Sequence, residues 1–359
     1  MKVVTIIGAR PQFIKCAPVS IELRRVAQEV LVHTGQHYDD SMSGVFFREM
    51  GLPEPDHHLA VGSGSHGQQT GEMLRKIEQI LLSEHPDMVL VYGDTNSTLA
   101  GALAPAKLHI PVAHVEAGLR SHNRKMPEEI NRVMADHLSS LLFCPTETAV
   151  NNLMTEGITK GVYLVGDVMY DALLEGVATA KRTSNILERL RVTPQCFILA
   201  TVHRAENTDQ PLRLKGIVDA LNELVKCGHN IVFPVHPRTQ KQFAMQSLKL
   251  NEGILQIDPV SYLDMVLLES TARFILTDSG GIQKEAYWLQ VPCLTLRDET
   301  EWEETVRYGW NKLVSTDSRR ILQAAMEIRP GHETGFVWKQ GEASKAVARL
   351  VADYRHDRP

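Results

Sequence analysis

The sequence predicts an α/β protein made of two Rossmann-like, doubly wound parallel-sheet domains, and three observations support this. The chain has 359 residues, which is more than one hydrophobic core usually serves. Strand-like and helix-like segments alternate from the first residues to about residue 340, as in βα repeats around a parallel sheet. The strand-like runs are continuously apolar, which is typical of strands buried on both faces.

The predicted strands form two groups, and a boundary near residue 168 separates them. In the first group they span residues 3–7, 30–33, 88–93, 110–115, 141–144 and 162–165. In the second they span residues 197–202, 230–235, 254–257, 274–277 and 293–296. Ligands of open α/β sheets bind beyond the carboxyl ends of the strands, so the cleft between the two domains is the expected ligand site.

Composition and charge exclude several classes of function. With a net charge of −5 and a pI of about 6.3, the chain lacks the basic surface that binds nucleic acid. No apolar run is long enough to span a bilayer, and Met1-Lys2 leads directly into a strand, so we expect a cytoplasmic protein without a membrane partner. The five cysteines form no Cys-x-x-Cys pair, and neither a metal site nor a redox motif is expected.

Two carboxylates stand where neighbouring predicted strands end. Asp94 follows the run at 88–93, and Glu116 follows the run at 110–115. The carboxyl ends of parallel neighbours meet at one edge of a sheet, so both acids can act on one substrate. His114 lies on the same side of its strand as Glu116, but no further ligand spacing supports a metal site.

The first strand-to-helix turn carries two cations. In Gly8-Ala9-Arg10-Pro11 and the residues that follow, Arg10 and Lys15 lie near a helix start, where the amides already favour an anion. The alternative is that both are solvated surface charges. Only one glycine is present, so the Gly-x-Gly-x-x-Gly fingerprint is missing and a nicotinamide enzyme is disfavoured.

The second half has a comparable turn at residues 277–281. Ser279, Gly280 and Gly281 would expose backbone N–H groups to a phosphate. Glu285 lies about one turn into the helix, where it is placed to accept hydrogen bonds from ribose hydroxyls. A plain helix cap would need only Asp278 or Ser279, so the pair of glycines favours the phosphate interpretation.

Two further strand ends in the second half each deliver a histidine and an arginine. They are His203 with Arg204, and His236 with Arg238. Arginine and imidazolium groups hold a diphosphate and neutralise its charge as it departs. In the first half, Glu128 follows a proline at a helix start, where acids also serve as ordinary capping residues. It is a candidate because the loop before it leaves the strand that carries Glu116.

Together these motifs resemble the non-hydrolysing UDP-N-acetylglucosamine 2-epimerase family over essentially the whole chain. The matching stretches are Gly8-Ala9-Arg10-Pro11, Thr34-Gly35-Gln36-His37, Tyr92-Gly93-Asp94-Thr95, His114-Val115-Glu116-Ala117-Gly118-Leu119-Arg120, Pro127-Glu128-Glu129-Ile130-Asn131-Arg132, His203-Arg204-Ala205-Glu206-Asn207, His236-Pro237-Arg238 and Asp278-Ser279-Gly280-Gly281.

The resemblance implies a glycosyltransferase-B arrangement of the two Rossmann-like domains, with the active site in the interdomain cleft. The first domain would comprise residues 1–168 and a carboxy-terminal helix at about 343–359, and the second would comprise residues 169–342. It also implies a homodimer and no cofactor. In the implied mechanism UDP leaves C1 of the sugar to give a glycal, and a proton returns to the opposite face of C2 as UDP adds back.

Residue roles follow from positions in these motifs. The resemblance implies catalytic roles for Asp94, Glu116, Glu128 and His203, without saying which carboxylate is the acid and which the base. It implies that the UDP-sugar is contacted by a further set of residues, which are Arg10, Lys15, Gln36, His37, Arg120, Arg204, His236, Arg238, Ser279, Gly280, Gly281, Glu285 and Arg297.

One departure from the family pattern bears on the substrate. Members acting on UDP-N-acetylglucosamine typically read Thr-Glu-Arg-Pro-Glu after the last core strand, whereas this chain reads Thr-Glu-Trp-Glu-Glu at residues 300–304. That form looks like relatives acting on UDP-2,3-diacetamido-2,3-dideoxy-D-glucuronate, which supply the mannuronate epimer for surface polysaccharides such as lipopolysaccharide O-antigen. We therefore favour that substrate.

Several alternatives stay open. The substrate pair UDP-N-acetylglucosamine and UDP-N-acetylmannosamine is the first of them. A hydrolysing epimerase would use similar chemistry and release UDP with the free sugar. A glycosyltransferase of the same architecture or a silent nucleotide-sugar sensor would not need three carboxylates in the first domain, which counts against both.

Overall fold

The computed structural model describes residues 1–36, 47, 49–332 and 342–354, and the chain divides into two compact units. Unit 1 comprises Met1–Leu174 with Trp338–Pro359, and unit 2 comprises Glu175–Val337. The division falls inside the helix Val168–Thr183. The boundary predicted near residue 168 coincides with the start of this helix.

Unit 1 is built on a parallel sheet of seven strands in the order β3-β2-β1-β4-β5-β6-β7. The strands are β1 Lys2–Ile7, β2 Gln28–His33, β3 His57–His58, β4 Met88–Tyr92, β5 Val112–Val115, β6 Leu141–Cys144 and β7 Val162–Leu164. Its helices are α1 Arg10–Leu23, α2 His66–Glu84, α3 Asn96–Lys107, α4 Pro127–Leu138, α5 Glu147–Thr155 and α6 Val168–Thr183, with α15 Ala343–Asp353 at the end of the chain. The strand order switches between β1 and β4, which is where ligands bind in sheets of this type.

The apolar runs explain why these strands form the centre of unit 1. Every residue of β4 and β5 is buried, and helices cover both faces of the sheet. Burial of each large aliphatic side chain stabilises the fold by about 1.5–3 kcal/mol. The carboxy-terminal helix α15 packs on α1, and its Ser344 amide donates to Asp171 Oδ2 at 2.7 Å.

Unit 2 contains a second parallel sheet, of six strands in the order β10-β9-β8-β11-β12-β13. The strands are β8 Phe197–Thr201, β9 Asn230–Pro234, β10 Ile254–Ile257, β11 Phe274–Thr277, β12 Cys293–Thr295 and β13 Asn311–Leu313. The helices are α7 Ile186–Leu190, α8 Ala205–Thr208, α9 Pro211–Lys226, α10 Pro237–Met245, α11 Tyr262–Thr271, α12 Gly280–Trp288, α13 Glu303–Arg307 and α14 Ser318–Glu327.

Both units are doubly wound parallel sheets, so the predicted fold class is confirmed. The predicted strands correspond to observed ones within a few residues, whereas β3 and β13 were not predicted. These two strands have only two and three residues and lack an apolar run. Across the described residues, no helix combines the length and apolar character needed to cross a bilayer.

Candidate active site

Asp94 and Glu116 follow two adjacent strands of unit 1, as the sequence predicts. β4 and β5 pair in parallel, and the Gly93 amide donates to the Val115 carbonyl at 3.0 Å. Gly93 has a φ of +60°, and a Cβ placed there would lie 3.3 Å from Lys15 Nζ and 3.4 Å from Glu116 Oε2. The glycine turn therefore brings the main chain against a cluster of charged side chains.

Glu116 itself has a left-handed backbone conformation, with a φ of +72°. Such a conformation in a residue with a Cβ costs about 1–3 kcal/mol and persists only where the surroundings enforce it. Here the amides of Glu116 and Ala117 both donate to the Phe143 carbonyl at 3.1 Å. The loop after β5 therefore holds Glu116 in one orientation.

Lys15 forms an ion pair with Glu116 Oε2, and only 13% and 17% of the two side chains are exposed. Burial opposes the charge on Lys15, but the carboxylates of Glu116 and Asp94 outweigh it and raise the Lys15 pKa above its usual 10.5. The sequence predicts that Lys15 binds a substrate anion. The structure places its ammonium against Glu116, and the contact with a substrate anion stays a prediction.

Asp94 has a cation of its own. Its carboxylate pairs with Arg132 of α4, and Asn131 Nδ2 donates to the Asp94 carbonyl at 2.9 Å. Asn131 and Arg132 belong to one of the motifs that carry the family resemblance, but the sequence alone predicts no function for either. We call Asp94 and Glu116, together with their cations Arg132 and Lys15, the acid cluster. Each of its two carboxylates is held by a different cation.

The two acids in the first turn of α4 have different surroundings. Glu129 is 3% exposed and accepts hydrogen bonds from the Ser121 and His122 amides at 2.9 Å. Burial opposes its ionisation, but these hydrogen bonds prevail and lower the pKa of Glu129. Glu128, which the sequence predicts to be catalytic, is exposed. Among the described residues no hydrogen bond joins Glu128 to Asp94 or Glu116.

Arg120, a predicted substrate contact, is held by acids of unit 1. Its guanidinium donates twice to Glu156, at 2.7 Å each, and once to Asp136 Oδ2 at 2.7 Å. The side chain is 1% exposed. These contacts fix the guanidinium inside the unit, and its contact with the substrate stays a prediction.

Three more of the predicted binding residues come from the first strand-to-helix turn and from the loop after β2. Arg10 is exposed at the start of α1. Gln36 Oε1 accepts hydrogen bonds from the amide and hydroxyl of Ser97, at 3.2 and 2.8 Å, and so ties its loop to α3. His37 lies outside the described residues. Gln12, which sequence reasoning missed, closes the first turn by accepting from the amides of Gly8 and Ala9 at 2.9 and 3.1 Å.

In unit 2, Asp278 organises the loop that follows β8. Its carboxylate is fully buried and accepts hydrogen bonds from the amides of His203 and Arg204, at 3.1 and 3.0 Å, and from Asn207 Nδ2 at 3.1 Å. The His203 ring lies 3.4 Å from Asp278 and is 42% exposed. The buried acid therefore presents both predicted residues at the surface of the unit.

The turn after β11 leads into α12, and its two glycines have different surroundings. Ser279 caps the helix by accepting from the Ile282 amide at 3.4 Å. A Cβ on Gly280 would lie 2.4 Å from Glu301 Oε1, so glycine is required there unless Glu301 moves. Gly281 is exposed, and its nearest neighbour would be Ser279 Oγ at 3.8 Å. The first glycine permits a close approach, and the second leaves the helix start open.

Cations around this turn are paired with acids of the same unit. Arg297 Nη1 lies 2.8 Å from Glu301 Oε2, and Arg204 Nη2 lies 3.7 Å from Glu301 Oε1. Arg238 forms a comparable pair with Asp209, and both of those side chains are 45% exposed. Because exposed ion pairs are weak, a phosphate can replace these acids.

His236 caps α10 by accepting a hydrogen bond from the Arg238 amide at 3.2 Å. Its ring centroid is 6.2 Å from that of His203. Burial, together with the charges of His203 and Arg238, lowers the pKa of His236 below its usual 6.5. An arriving anion would favour the protonated ring again.

Glu285 lies in α12, half-buried, and its carboxyl group contacts that of Glu269 in α11. Glu269 is 1% exposed. Two carboxyl groups can share a hydrogen bond only when one of them is protonated. Burial, followed by the charge of Glu285, raises the pKa of Glu269 well above its usual 4.5. Sequence reasoning missed Glu269 because the segment around it has the pattern of a buried helix.

A cavity of about 820 Å³ lies in unit 2, beside α7 and the segments that follow β9 and β10. Its lining includes Arg189, Pro237, Asp258, Pro259 and Asp264. Both strands end at this side of the sheet, which is where open α/β sheets bind ligands. The volume is in the range of small-molecule sites.

Comparison with known proteins identifies the family. The family model described as UDP-N-acetylglucosamine 2-epimerase matches residues 20–352. A Methanococcus maripaludis protein named UDP-N-acetylglucosamine 2-epimerase homolog is 55% identical over 352 residues, which cover 97% of this chain and 98% of the relative. The UDP-2,3-diacetamido-2,3-dideoxy-D-glucuronate 2-epimerase of Pseudomonas aeruginosa is 48% identical over 359 residues, covering 98% and 99%.

Solved structures agree with the sequence matches. The Methanocaldococcus jannaschii UDP-GlcNAc 2-epimerase in complex with UDP-GlcNAc and UDP has a TM-score of 0.83 at 44% identity, with 98% of this chain and 99% of that chain covered. The Neisseria meningitidis enzyme bound to UDP-GlcNAc has a TM-score of 0.84 at 33% identity, with the same coverage. The chain therefore belongs to the UDP-N-acetylglucosamine 2-epimerase family, whose members are isomerases.

Proposed function

We propose that this protein is a non-hydrolysing UDP-sugar 2-epimerase that inverts C2 by eliminating UDP and adding it back. The observation that carries the proposal is the pair of carboxylates after β4 and β5, Asp94 and Glu116, each held by a separate cation. In the forward step one carboxylate takes the C2 proton, the C1–O bond to UDP breaks, and its electron pair leaves with the diphosphate. In the return step UDP adds to C1 of the glycal while a proton is delivered to the opposite face of C2.

The cations paired with the two acids support this chemistry. Lys15 and Arg132 each hold one of the two carboxylates in a fixed position at the end of its strand, as proton transfer at a defined carbon requires. General acid–base catalysis by such groups contributes about 10²–10⁴-fold to a rate. Which acid removes the C2 proton and which delivers it stays open, because inversion uses both in turn. Glu128 is a third candidate, on its motif position alone.

Unit 2 supplies groups suited to the diphosphate of UDP. The open helix start at Ser279, Gly280 and Gly281 presents amides to an anion, as helix N-termini do in nucleotide-binding proteins. Arg204, Arg238 and Arg297 provide positive charge for the departing group, and the rings of His203 and His236 are the further groups assigned to it. Acids such as Glu301 and Asp209 pair with several of these cations, and the diphosphate would take their place.

We assign the nucleoside part of UDP to the same unit. The Glu285 carboxylate would accept hydrogen bonds from the ribose hydroxyls. The cavity beside the ends of β9 and β10 would receive the base, since its volume and position suit a small planar ring.

For the sugar, we favour UDP-2,3-diacetamido-2,3-dideoxy-D-glucuronate, whose mannuronate epimer would serve surface polysaccharide biosynthesis. Support comes from the Trp302-Glu303 form of the loop after β12 and from the Pseudomonas aeruginosa relative with that printed activity. UDP-N-acetylglucosamine is the alternative, favoured by a Methanocaldococcus jannaschii relative named for it that is 47% identical over 364 residues.

We also propose a homodimer. Met126, Ile130 and Met134 are spaced by four residues along α4 and its start, so they form one stripe, and they are 38%, 51% and 42% exposed. An exposed apolar stripe of this kind is suited to association with a second copy. Light scattering on the purified chain tests this, and the mass of a single chain would contradict it.

Incubation with each UDP-sugar in deuterated water, followed by NMR and mass spectrometry, tests the function. We expect the C2 epimer of the diacetamido uronate with deuterium at C2, and slower or no conversion of UDP-N-acetylglucosamine. An epimer without deuterium would exclude the elimination route. Release of UDP with free sugar would favour the hydrolysing alternative, and transfer of the sugar to an added acceptor would favour a glycosyltransferase.

A further inference from the structure

His114 lies in β5, the strand that ends just before Glu116. It is fully buried and has a hydrogen-bond acceptor at each ring nitrogen. Nδ1 lies 2.7 Å from Asp136 Oδ1, and Nε2 lies 2.7 Å from the carbonyl oxygen of Gly93. A carbonyl oxygen can only accept a hydrogen bond, so Nε2 must carry a proton.

The second nitrogen follows from the state of Asp136. Its other oxygen accepts hydrogen bonds from the Gly118 amide at 3.1 Å and from Arg120 at 2.7 Å. Arg120 is always charged and donates to this oxygen together with the Gly118 amide, so Asp136 is held as a carboxylate independently of His114. An ionised carboxylate can only accept, so Nδ1 must also carry a proton. The ring is then an imidazolium.

The charges around the ring are paired. His114 and Arg120 both donate to Asp136, and Arg120 also pairs with Glu156, an exposed acid that His137 contacts as well. Cys144 on β6 also lies near Asp136, and burial, then the charge of Asp136, raises the thiol pKa to about 12, so it stays neutral. A buried charge is tolerated only when it is paired and hydrogen-bonded in this way.

The imidazolium connects the two loops that carry the acids. Its Nε2 holds the carbonyl of Gly93, the residue directly before Asp94. Through Asp136 it also holds the amide of Gly118, two residues after Glu116. Gly93 and Gly118 both have positive φ, +60° and +81°, so these are the turns at which the main chain changes direction.

We propose that His114 is a positioning residue, a doubly protonated ring that fixes the Gly93 and Gly118 turns and so sets the separation of the two catalytic carboxylates. Its effect on turnover rests on the proposed function of Asp94 and Glu116, whereas its protonation state does not. Neutral imidazole has one N–H and leaves one of the two acceptors without a donor, in a site closed to water.

The protonation state is tested by NMR of the full chain with ¹⁵N-labelled histidine at about pH 8, where ordinary histidines are neutral. The His114 signals are identified by their loss in His114→Gln. We expect both ring nitrogens to show the chemical shift of protonated nitrogen. One bare nitrogen, whether the proton lies on Asp136 or is absent, would overturn the imidazolium.

The positioning effect is tested by the kinetics of His114→Gln. Gln is uncharged and cannot reach both acceptors, so we expect kcat to fall about 100-fold, as a misplacement of about 1 Å can cause. The Kd of UDP should stay within about twofold, because its expected ligands lie in unit 2. The matched control is His57→Gln, a half-buried histidine of β3 in unit 1, whose Nε2 lies 2.8 Å from Glu84 Oε1. It should lower the melting temperature while kcat of the folded protein changes by no more than about twofold.

An unchanged kcat in His114→Gln would overturn the positioning role, as would equal losses of kcat in both histidine variants at equal folded fraction. Failure of the proposed function has a different signature. In that case the unmodified protein would not epimerise any UDP-sugar, while the NMR result for the ring would be unaffected.

Discussion

The charged clusters of the two units differ in how deeply they are buried. In unit 1, Lys15 and Glu116 are 13% and 17% exposed, and His114 and Asp136 are fully buried. In unit 2, Glu301 is 45% exposed, and it pairs with Arg204, which is 35% exposed, and with the more buried Arg297. Buried pairs need complete hydrogen bonding and tolerate little movement, whereas exposed pairs contribute about 0–1 kcal/mol and exchange readily. Fixed geometry suits proton transfer, and exchangeable pairs suit the binding and release of a charged ligand.

We expect the largest effect from replacing the two acids of the unit 1 cluster. Asp94→Asn and Glu116→Gln should each lower kcat by about 1,000-fold, because the amide can neither accept nor deliver the C2 proton. The Kd of UDP, measured by calorimetry, should stay within about twofold. Glu147→Gln, an exposed acid at the start of α5, is the matched control and should retain normal kcat. Near-normal turnover in both acid variants would remove them from the mechanism.

A smaller effect tests whether the unit 2 pairs are exchangeable. In Glu301→Gln the carboxylate that holds Arg297 and Arg204 is lost, so the cations are free for the diphosphate. We expect UDP to bind about fivefold more tightly, in keeping with about 1 kcal/mol for an exposed pair. Titration calorimetry at two salt concentrations measures this.

The control for that variant is Asp298→Asn, on the same loop, whose carboxylate pairs with Arg213 instead. Its affinity for UDP should match that of the unmodified protein. Weaker binding in Glu301→Gln would mean that Glu301 assists the ligand rather than competing with it.

The last effect is on stability rather than on turnover or binding, and it concerns Glu269, a buried acid of unit 2. Its folded-state pKa is raised above the usual 4.5, so the folded state holds its proton more tightly than the unfolded state does. Its contribution to stability is therefore complete below about pH 4.5 and is lost as the pH rises toward the folded-state pKa. The Glu269→Gln variant has no titrating group at this position. As the pH rises above about 4.5, its free energy of unfolding should therefore increase relative to that of the unmodified protein.

Chemical denaturation across a pH series measures the difference, which we expect to reach about 1–2 kcal/mol. Glu252→Gln, an exposed acid of the same unit, should show no comparable trend. A difference for Glu269→Gln that is constant with pH would contradict the shared proton between Glu269 and Glu285.

The fold could be predicted because long apolar runs such as those at β4 and β8 have one stable arrangement, a buried parallel sheet. The positions of Asp94 and Glu116 followed from the ends of those runs. The partners of the acids could not be predicted in the same way, because they come from elsewhere in the chain. Arg132 pairs with Asp94 across 38 residues. No local pattern reports such a contact.

The same reason explains what the sequence does not show about the surroundings of Arg120 and Glu128. Arg120 looks like a free cation in the sequence, and its burial depends on Glu156, 36 residues away. Glu128 and Glu129 are adjacent acids in one first turn, and local reasoning cannot tell which of them faces the loop at Ser121. Helix direction decides it, since neighbouring residues point to different sides.

The left-handed backbone at Glu116 has a consequence for engineering this enzyme. Glycine is the residue that adopts this conformation without strain, so a screen for heat tolerance would reward its introduction there. The same replacement would delete one of the two acids. On the proposed mechanism, variants selected only for resistance to heating would lose activity through this position, so such a selection needs a parallel screen for activity.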